Sequence, residues 1–389
     1  MKKHLIVITP SFIDFKNECI KIGGLETYIK DLCNLAMDLG YDTDVYQTDV
    51  NAEKIHIEWN NIRIHATKSL SQKKLSNQKA FDLIFSKHNN NNTIFIIATD
   101  QLDIKCHKKN VIAIQHGIAF DIPGEMISGF FGKNKYLIHI NKILRCIKNI
   151  NRFYNTYNTV CVDYNYFNWF RTLGIIDSKR TMEVIPNYTS CYIPEDVLKN
   201  KLKNIASTKK IVFARRFVDY RGTLLFANVV KRMLNEGKNI EVTFAGNGPL
   251  EMNLHSMFKD EEKVSFTSFK STDSVTFHKE FDIAVIPTIF SEGTSLSLCE
   301  SMAAGCFPIA THVGGMTNII IDGYNGYLSY PSENALYEKL NTAISLSNEV
   351  YTRIVYNAYK TVKEGLNIQC WKEKWEKVFL DIDNHLNNE

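Results

Sequence analysis

Short runs of β-branched and aliphatic residues recur along this chain, separated by longer stretches whose apolar positions return every three to four residues. That alternation constrains the fold more than any other feature. A parallel strand pair needs a long crossover between its members, and a helix that covers the sheet face supplies it. The runs Leu5 to Thr9, Thr43 to Gln47, Ile94 to Ala98, Val111 to Gln115 and Thr159 to Val162 predict one set of strands. Ile211 to Ala214, Ile240 to Ala245, Val264 to Thr267, Asp282 to Pro287 and Phe307 to Ala310 predict a second. The fold class is therefore α/β, and 389 residues exceed what a single core usually supports, so two domains are expected.

The stretch Asn187 to Lys210 is rich in Lys, Asn and Ser and carries Pro194, which reads as a solvated connection between the domains. The expected division is residues 1–190, then 205–365, then a terminal piece 366–389. In that piece Trp371, Trp375, Val378, Phe379 and Ile382 form a helical stripe that needs cover, which the first domain could supply.

Composition excludes more than it names. A net charge of +4 lacks the clustered basicity of a nucleic-acid binder, so no nucleic-acid partner is expected. Nine cysteines are scattered without a Cys-x-x-Cys pair, which fits reduced thiols in the cytosol. The apolar run Leu5 to Ile8 is too short for a signal-peptide core and reads as a first buried strand. No stretch approaches the roughly 18 uninterrupted apolar residues of a membrane span, so any membrane contact is expected to be peripheral.

The densest motif is "SEGTSLSLCESMAAGCFPIAT", which follows the buried strand "FDIAVIP". Glu292 and Gly293 fall in a loop, and good helix formers run from about Thr294 to Ala304 before Gly305. Unpaired N–H groups near Thr294, Ser295 and Leu296 would make a phosphate site at the positive end of the helix dipole. Glu300, further along the helix, suits a ribose hydroxyl. On spacing alone, a surface loop and helix with two solvated glutamates accounts for the same residues equally well.

The pair Glu292 and Glu300, with the continuation "SMAAGCFPIAT", resembles the signature of the retaining glycosyltransferases of family 4. The resemblance runs over nearly the whole chain. It implies the GT-B fold, two Rossmann-like doubly wound domains facing each other across a cleft, with the C-terminal helix packing back on the first domain. It also implies transfer of a sugar from a nucleoside diphosphate sugar to a hydroxyl acceptor with retention of configuration, the first domain binding the acceptor and the second the donor.

Other segments follow in the order that this family shows. "IKIGGLETYIKDL" places Gly23 and Gly24 before an amphipathic helix, where bare backbone can approach a diphosphate or sugar. "VIAIQHG" puts His116 just past a buried strand, at the edge where α/β sheets bind ligands; the resemblance places the matching residue beside the transferred sugar. "ARRFVDYRG" resembles the family's Gly-Arg-Leu pattern closing on Lys-Gly. Counting back from Gly222 assigns Arg221 and Arg216 to the diphosphate, for which guanidinium forks are suited. Asn187, in "IPNYTS", joins the donor-binding set, with Tyr188 where glycine is usual.

Neither a Gly-x-Gly-x-x-Gly turn nor an Asp-x-Asp pair after a buried strand is present, so no nicotinamide cofactor and no required metal are expected. A nucleotide-sugar epimerase or hydrolase of the same architecture, or a non-catalytic sugar-nucleotide-binding subunit, remain the alternatives. From Met126 to Val162 there is no acidic residue, while Lys133, Lys135, Lys142, Arg145, Lys148 and Arg152 alternate with aliphatics. This is the pattern of a basic amphipathic helix, which suits an anionic membrane surface and, equally, a helix facing the protein's own core with a solvated basic side. The expected setting is cytoplasmic, at or near the inner membrane face, with a saccharide or lipid-linked saccharide as acceptor in surface polysaccharide or glycolipid assembly.

Overall fold

The computed structural model describes residues 2–21, 23–48, 55–67, 75–118, 121, 134–154, 156–173 and 181–387. Lys133 of the basic stretch lies outside the described residues. The chain divides into two compact units, one of Met1–Phe120, Lys133–Ile185 and Lys372–Glu389, the other of Asp121–Gly132 and Pro186–Trp371.

The first unit begins with β1 (Lys3–Thr9), a small ribbon of β2 (Ile13–Asp14) and β3 (Cys19–Ile20), and helix α1 (Gly24–Asp38). It continues with β4 (Tyr41–Gln47), β5 (His56–Trp59), β6 (Ile62–Ala66), α2 (Asn77–His88), β7 (Thr93–Ile97) and β8 (Val111–Gln115). Then come α3 (Lys135–Tyr154), β9 (Asn158–Cys161), α4 (Tyr164–Leu173) and β10 (Thr181–Val184). The eight-stranded sheet has the order β10-β9-β8-β7-β1-β4-β6-β5 and is parallel except for β5, which runs against β6. That edge hairpin turns through Asn60 and Asn61, at φ 48° and 64°, the left-handed pair that matches the natural twist of a two-residue hairpin. β1 from Leu5 to Thr9 and all of β7 are buried because helices cover both faces.

The second unit opens with α5 (Glu195–Lys203) and β11 (Lys209–Ala214), followed by α6 (Thr223–Asn235), β12 (Ile240–Ala245), α7 (Glu251–Met257), β13 (Val264–Thr267) and α8 (Ser274–His278). β14 (Ile283–Ile286), α9 (Leu296–Ala303), β15 (Phe307–Thr311), β16 (Tyr327–Ser329), α10 (Glu333–Ile344) and α11 (Asn348–Gly365) complete it. The sheet order is β13-β12-β11-β14-β15-β16, all parallel. Counted within the unit this is 3-2-1-4-5-6, the doubly wound arrangement. The chain reverses direction across the sheet between β11 and β14, and the crevice that opens beyond their carboxyl ends is where such sheets bind ligands.

The segment read as a solvated connection is instead part of the second unit's core. Tyr188, Thr189, Ile193 and Leu198 are buried, and Val197, Leu202 and Ile205 pack against the same cluster. Lys199, Asn200 and Lys203 occupy the outer face of α5, while Lys201 turns inward and donates to the Phe281 and Ala304 carbonyls, so composition described only one side of the helix. The last helix, α12 (Ile368–Asn387), buries Trp371, Trp375, Val378, Phe379 and Ile382. Within the first unit, Trp375 Nε1 donates to the Tyr28 hydroxyl at 2.9 Å and Phe379 lies against Tyr41. Each large apolar side chain removed from water in this way contributes about 1.5–3 kcal/mol.

Candidate functional site

The end of β11 and the end of β14 bring the second unit's charges together. Ala214 is the last residue of β11, so Arg215 leaves the sheet edge first; Thr288 and Glu292 follow the neighbouring β14. Arg215 donates to Glu292 Oε2 at 2.7 Å and to the Thr288 hydroxyl. Arg221 donates to the same Oε2, and the Thr288 hydroxyl adds a bond at 3.1 Å. Burial alone would raise the Glu292 carboxyl, but the two guanidinium groups outweigh it and hold it at about 2. The arginines differ in access, with side-chain exposure of 8% for Arg215 and 28% for Arg221. An arriving anion therefore meets Arg221 first.

Two glycines let the loops close around this cluster. Gly222 has φ 77°, and a Cβ there would lie 1.8 Å from the Pro287 carbonyl oxygen. Gly314 has φ 53°, and its Cβ would lie 1.8 Å from the carbonyl oxygen of Glu292. Neither position accepts a side chain without moving the backbone that carries the cluster. The Gly315 N–H then fixes the Glu292 carbonyl at 3.1 Å.

The expected helix start moves slightly. Thr294 is held outside α9 by Asn187, whose N–H donates to the Thr294 hydroxyl at 2.7 Å and whose side-chain amide donates to the Thr294 carbonyl. The helix begins at Leu296 with Ser295 as its cap residue, and Ser295 makes no side-chain bond to the first turn. The first N–H groups of α9 thus keep their capacity for an acceptor. Asn187 Oδ1 is buried without a hydrogen-bond partner among the described residues, so it can accept a ligand hydroxyl. Gly293 is buried between these groups.

Glu300, on α9, behaves oppositely to Glu292. Burial pushes its carboxyl up to about 7, and the Ser274 hydroxyl, which donates to it at 2.6 Å, only partly offsets that. It is therefore half ionised near neutrality and gains from any ligand that brings it donors, as a ribose diol would.

Counting from Gly222 gives the diphosphate to Arg216, while the side chain that reaches Glu292 and Thr288 is that of its neighbour Arg215. Arg216 is exposed and forms no ion pair among the described residues. The two arginines are adjacent, and the strand end at Ala214 decides which one turns toward β14. Thr288 and Ser274 were missed altogether. The place of Thr288 one residue past "VIP" was a usable signal, whereas nothing local marks Ser274.

In the first unit, Gly23 is the cap residue of α1 and Gly24 its first residue. The Glu26 carboxylate folds back over Gly23, where an added Cβ would lie 2.2 Å from its oxygen. A phosphate approaching this helix start must displace that carboxylate. His116 Nε2 lies 3.0 Å from the Ala98 carbonyl and therefore carries the proton in the neutral ring; the imidazole packs edge-on against Tyr28. Burial lowers its pKa to about 4, against a smaller opposing effect of Asp100. His116 is thus neutral at physiological pH, with Nδ1 as its available acceptor.

Residues 195–361, which contain this whole cluster except Asn187, match the family described as Glycosyl transferases group 1. The second unit carries a glycosyl transferases group 1 domain. Over its full length the chain is 23% identical to an uncharacterized glycosyltransferase of Methanocaldococcus jannaschii, covering 99% of this chain and 100% of that protein. It is 25% identical to Protein CapJ of Staphylococcus aureus over 49% of this chain, and there it spans 48% of the length of the relative. The structure of HepE from Anabaena, solved in complex with UDP, superposes with a TM-score of 0.68 at 13% identity, covering 97% of this chain and 100% of that one. That likeness fixes the fold of the two sheets as GT-B.

Proposed function

We propose that the chain transfers a sugar from a nucleoside diphosphate sugar to a hydroxyl of a saccharide or lipid-linked saccharide, with retention of configuration. The observation that carries this reading is the pair of guanidinium groups at the switch point of a doubly wound sheet, beside an uncapped helix start. In the reaction, negative charge grows on the departing diphosphate, and prearranged cations gain most there. Arg221, with Arg215 behind it, and the first N–H groups of α9 would hold the diphosphate. Glu300 would take the ribose, and Asn187 and Glu292 would border the transferred sugar. His116, with the backbone at Gly23 and Gly24, would belong to the acceptor side. The UDP held by HepE makes a uridine donor the first to try, and a sugar-nucleotide donor requires no resident metal in this scheme.

A panel of sugar nucleotides, scored with and without saccharide acceptors, tests the reading. The expected result is acceptor-dependent release of nucleoside diphosphate with a new glycosidic bond, unaffected by a chelator. An isomerised nucleotide sugar would make the chain an epimerase, free sugar a hydrolase, and binding without turnover a non-catalytic subunit.

A further inference from the structure

Glu300 is backed by a short chain of hydrogen bonds that the transferase reading does not use. Helix α8 buries Ser274 and His278, four residues apart on one face. His278 Nδ1 lies 2.8 Å from the Ser274 carbonyl oxygen and 3.3 Å from the Ser274 hydroxyl oxygen. A carbonyl only accepts, so Nδ1 carries the proton and Nε2 is left bare. That Nε2 is buried without a hydrogen-bond partner among the described residues, a cost in stability that a phenylalanine of similar shape would not bring. Burial holds the ring at about 4, so it stays neutral and keeps this tautomer at physiological pH. The imidazole is a fixed donor.

That donor sets the direction of the chain. With the Nδ1 proton aimed at it, the Ser274 hydroxyl finds no acceptor on the His278 side, and its own proton goes to Glu300 Oε2 at 2.6 Å. Among the described residues Glu300 forms no ion pair, and the Ser274 hydroxyl is what favours its charged form against burial. The other titratable groups nearby do not take that part. Cys191 and Cys299 are thiols that burial pushes up, and Lys201 of α5 spends its ammonium on the Phe281 and Ala304 carbonyls. The buried face of α11 brings Tyr351 and Tyr359, whose hydroxyls donate to the Asp282 and Ile193 carbonyls, while β14 and β15 bring no titratable side chain.

We propose that His278 and Ser274 are positioning residues for the sugar nucleotide: the ring fixes the hydroxyl as a donor, and the hydroxyl fixes the Glu300 carboxylate as an ionised acceptor for the ribose. The inference rests on the reading that Glu300 takes the ribose. Ribose is remote from the bond that breaks, so the pair acts on binding and leaves the chemical step alone.

Carboxyl-carbon NMR of glutamate-labelled protein, with Glu300→Gln to assign the signal, reads the chain of bonds directly. Ser274→Ala should move the Glu300 midpoint up by about one pH unit or more, and Ser274→Thr, which keeps the hydroxyl, should restore it. His278→Phe should move it in the same direction without lowering Tm, which the loss of a ring that only filled space would not do. Calorimetry with UDP-glucose reads the consequence for binding. From a parent midpoint at about 7, Ser274→Ala should weaken binding by about fivefold at pH 7 and by less than about twofold at pH 8.5, where Glu300 ionises again. Glu300→Gln should weaken it at both. An unmoved midpoint in folded Ser274→Ala protein would overturn the proposal. So would Ser274→Ala binding that is equally weak at both pH values, the mark of a structural defect. Parent-like binding by Glu300→Gln, with the NMR shift intact, would overturn the ribose reading and the proposal with it.

Discussion

Replacing Arg215 with glutamine should slow sugar transfer by roughly ten- to 150-fold, whereas the same change at Arg216 should alter it by less than about threefold. A charge-assisted hydrogen bond contributes about 1.5–3 kcal/mol, and each 1.36 kcal/mol of transition-state stabilisation is about a factor of ten in rate. Arg215 is the side chain that the end of β11 aims at Glu292 and Thr288, while Arg216 stands in solvent. The neighbouring substitution makes a stringent control, since both variants lose one positive charge from the same loop. Initial rates at saturating donor, with circular dichroism to verify folding, decide between them. A slow Arg216→Gln enzyme beside a normal Arg215→Gln enzyme would mean that the loop turns over when donor binds, and that the ion cluster seen here is not the catalytic arrangement.

The second large effect concerns Glu292 and appears in stability as well as rate. Its carboxylate accepts from Arg215, Arg221 and Thr288 together. Removing one member of a buried ion pair leaves the rest uncompensated and costs about 3–5 kcal/mol. In a unit of this size each 1 kcal/mol shifts Tm by about 2–4 °C, so Glu292→Gln should lower Tm by roughly 6 °C or more near neutral pH. Its pH dependence has a definite sign. The folded-state pKa of Glu292 is depressed to about 2 from the usual 4.5. The stability that its ionisation supplies is fully present above about 4.5 and is lost as pH falls toward 2. The gap between parent and variant should therefore be widest above pH 4.5 and shrink on acidification. Thermal melts across that range check it, and a gap that stays constant would show that the carboxylate is not what holds the two arginines. The same substitution should lower kcat, because two cations that have lost their shared anchor no longer present a fixed pair of forks to the diphosphate.

Much of this was legible before any coordinates. All ten strand runs read from the sequence are strands of the two sheets; those buried on both faces, such as β1, β7 and β14, appear as unbroken aliphatic runs. The hairpin Ile57–Ile64 was not seen: β5 is an edge strand of mixed polarity, and the Asn60–Asn61 turn was the signal available for it. Helix α5 was mistaken for a connection because its solvent face carries most of its residues, while Leu198 alone is fully buried within it. At the site, the strand-loop-helix around Glu292 and Glu300 could be read from residue order, since local chain geometry sets it. The choice of Arg215 over Arg216, and the partners Thr288 and Ser274, depend on where separate segments meet in space. Spacing along the chain carries no such information for Ser274, which lies 26 positions from the carboxylate that it touches.

In the proposed function the second unit grips a nucleoside diphosphate sugar through the arginine pair and Glu300. The most direct test is a calorimetric titration of the preferred nucleotide sugar into the protein at pH 6 and pH 8. Such a donor has no ionisation of its own in this interval, so the change reports on the protein. Glu300, with its pKa raised to about 7, is mostly protonated at the lower pH and ionised at the higher one, where it can accept both ribose hydroxyls. The account predicts saturable binding at one site per chain, tighter at pH 8 by roughly tenfold, the ratio of ionised fractions that such a pKa sets. Absence of saturable binding for every nucleotide sugar at either pH would contradict it.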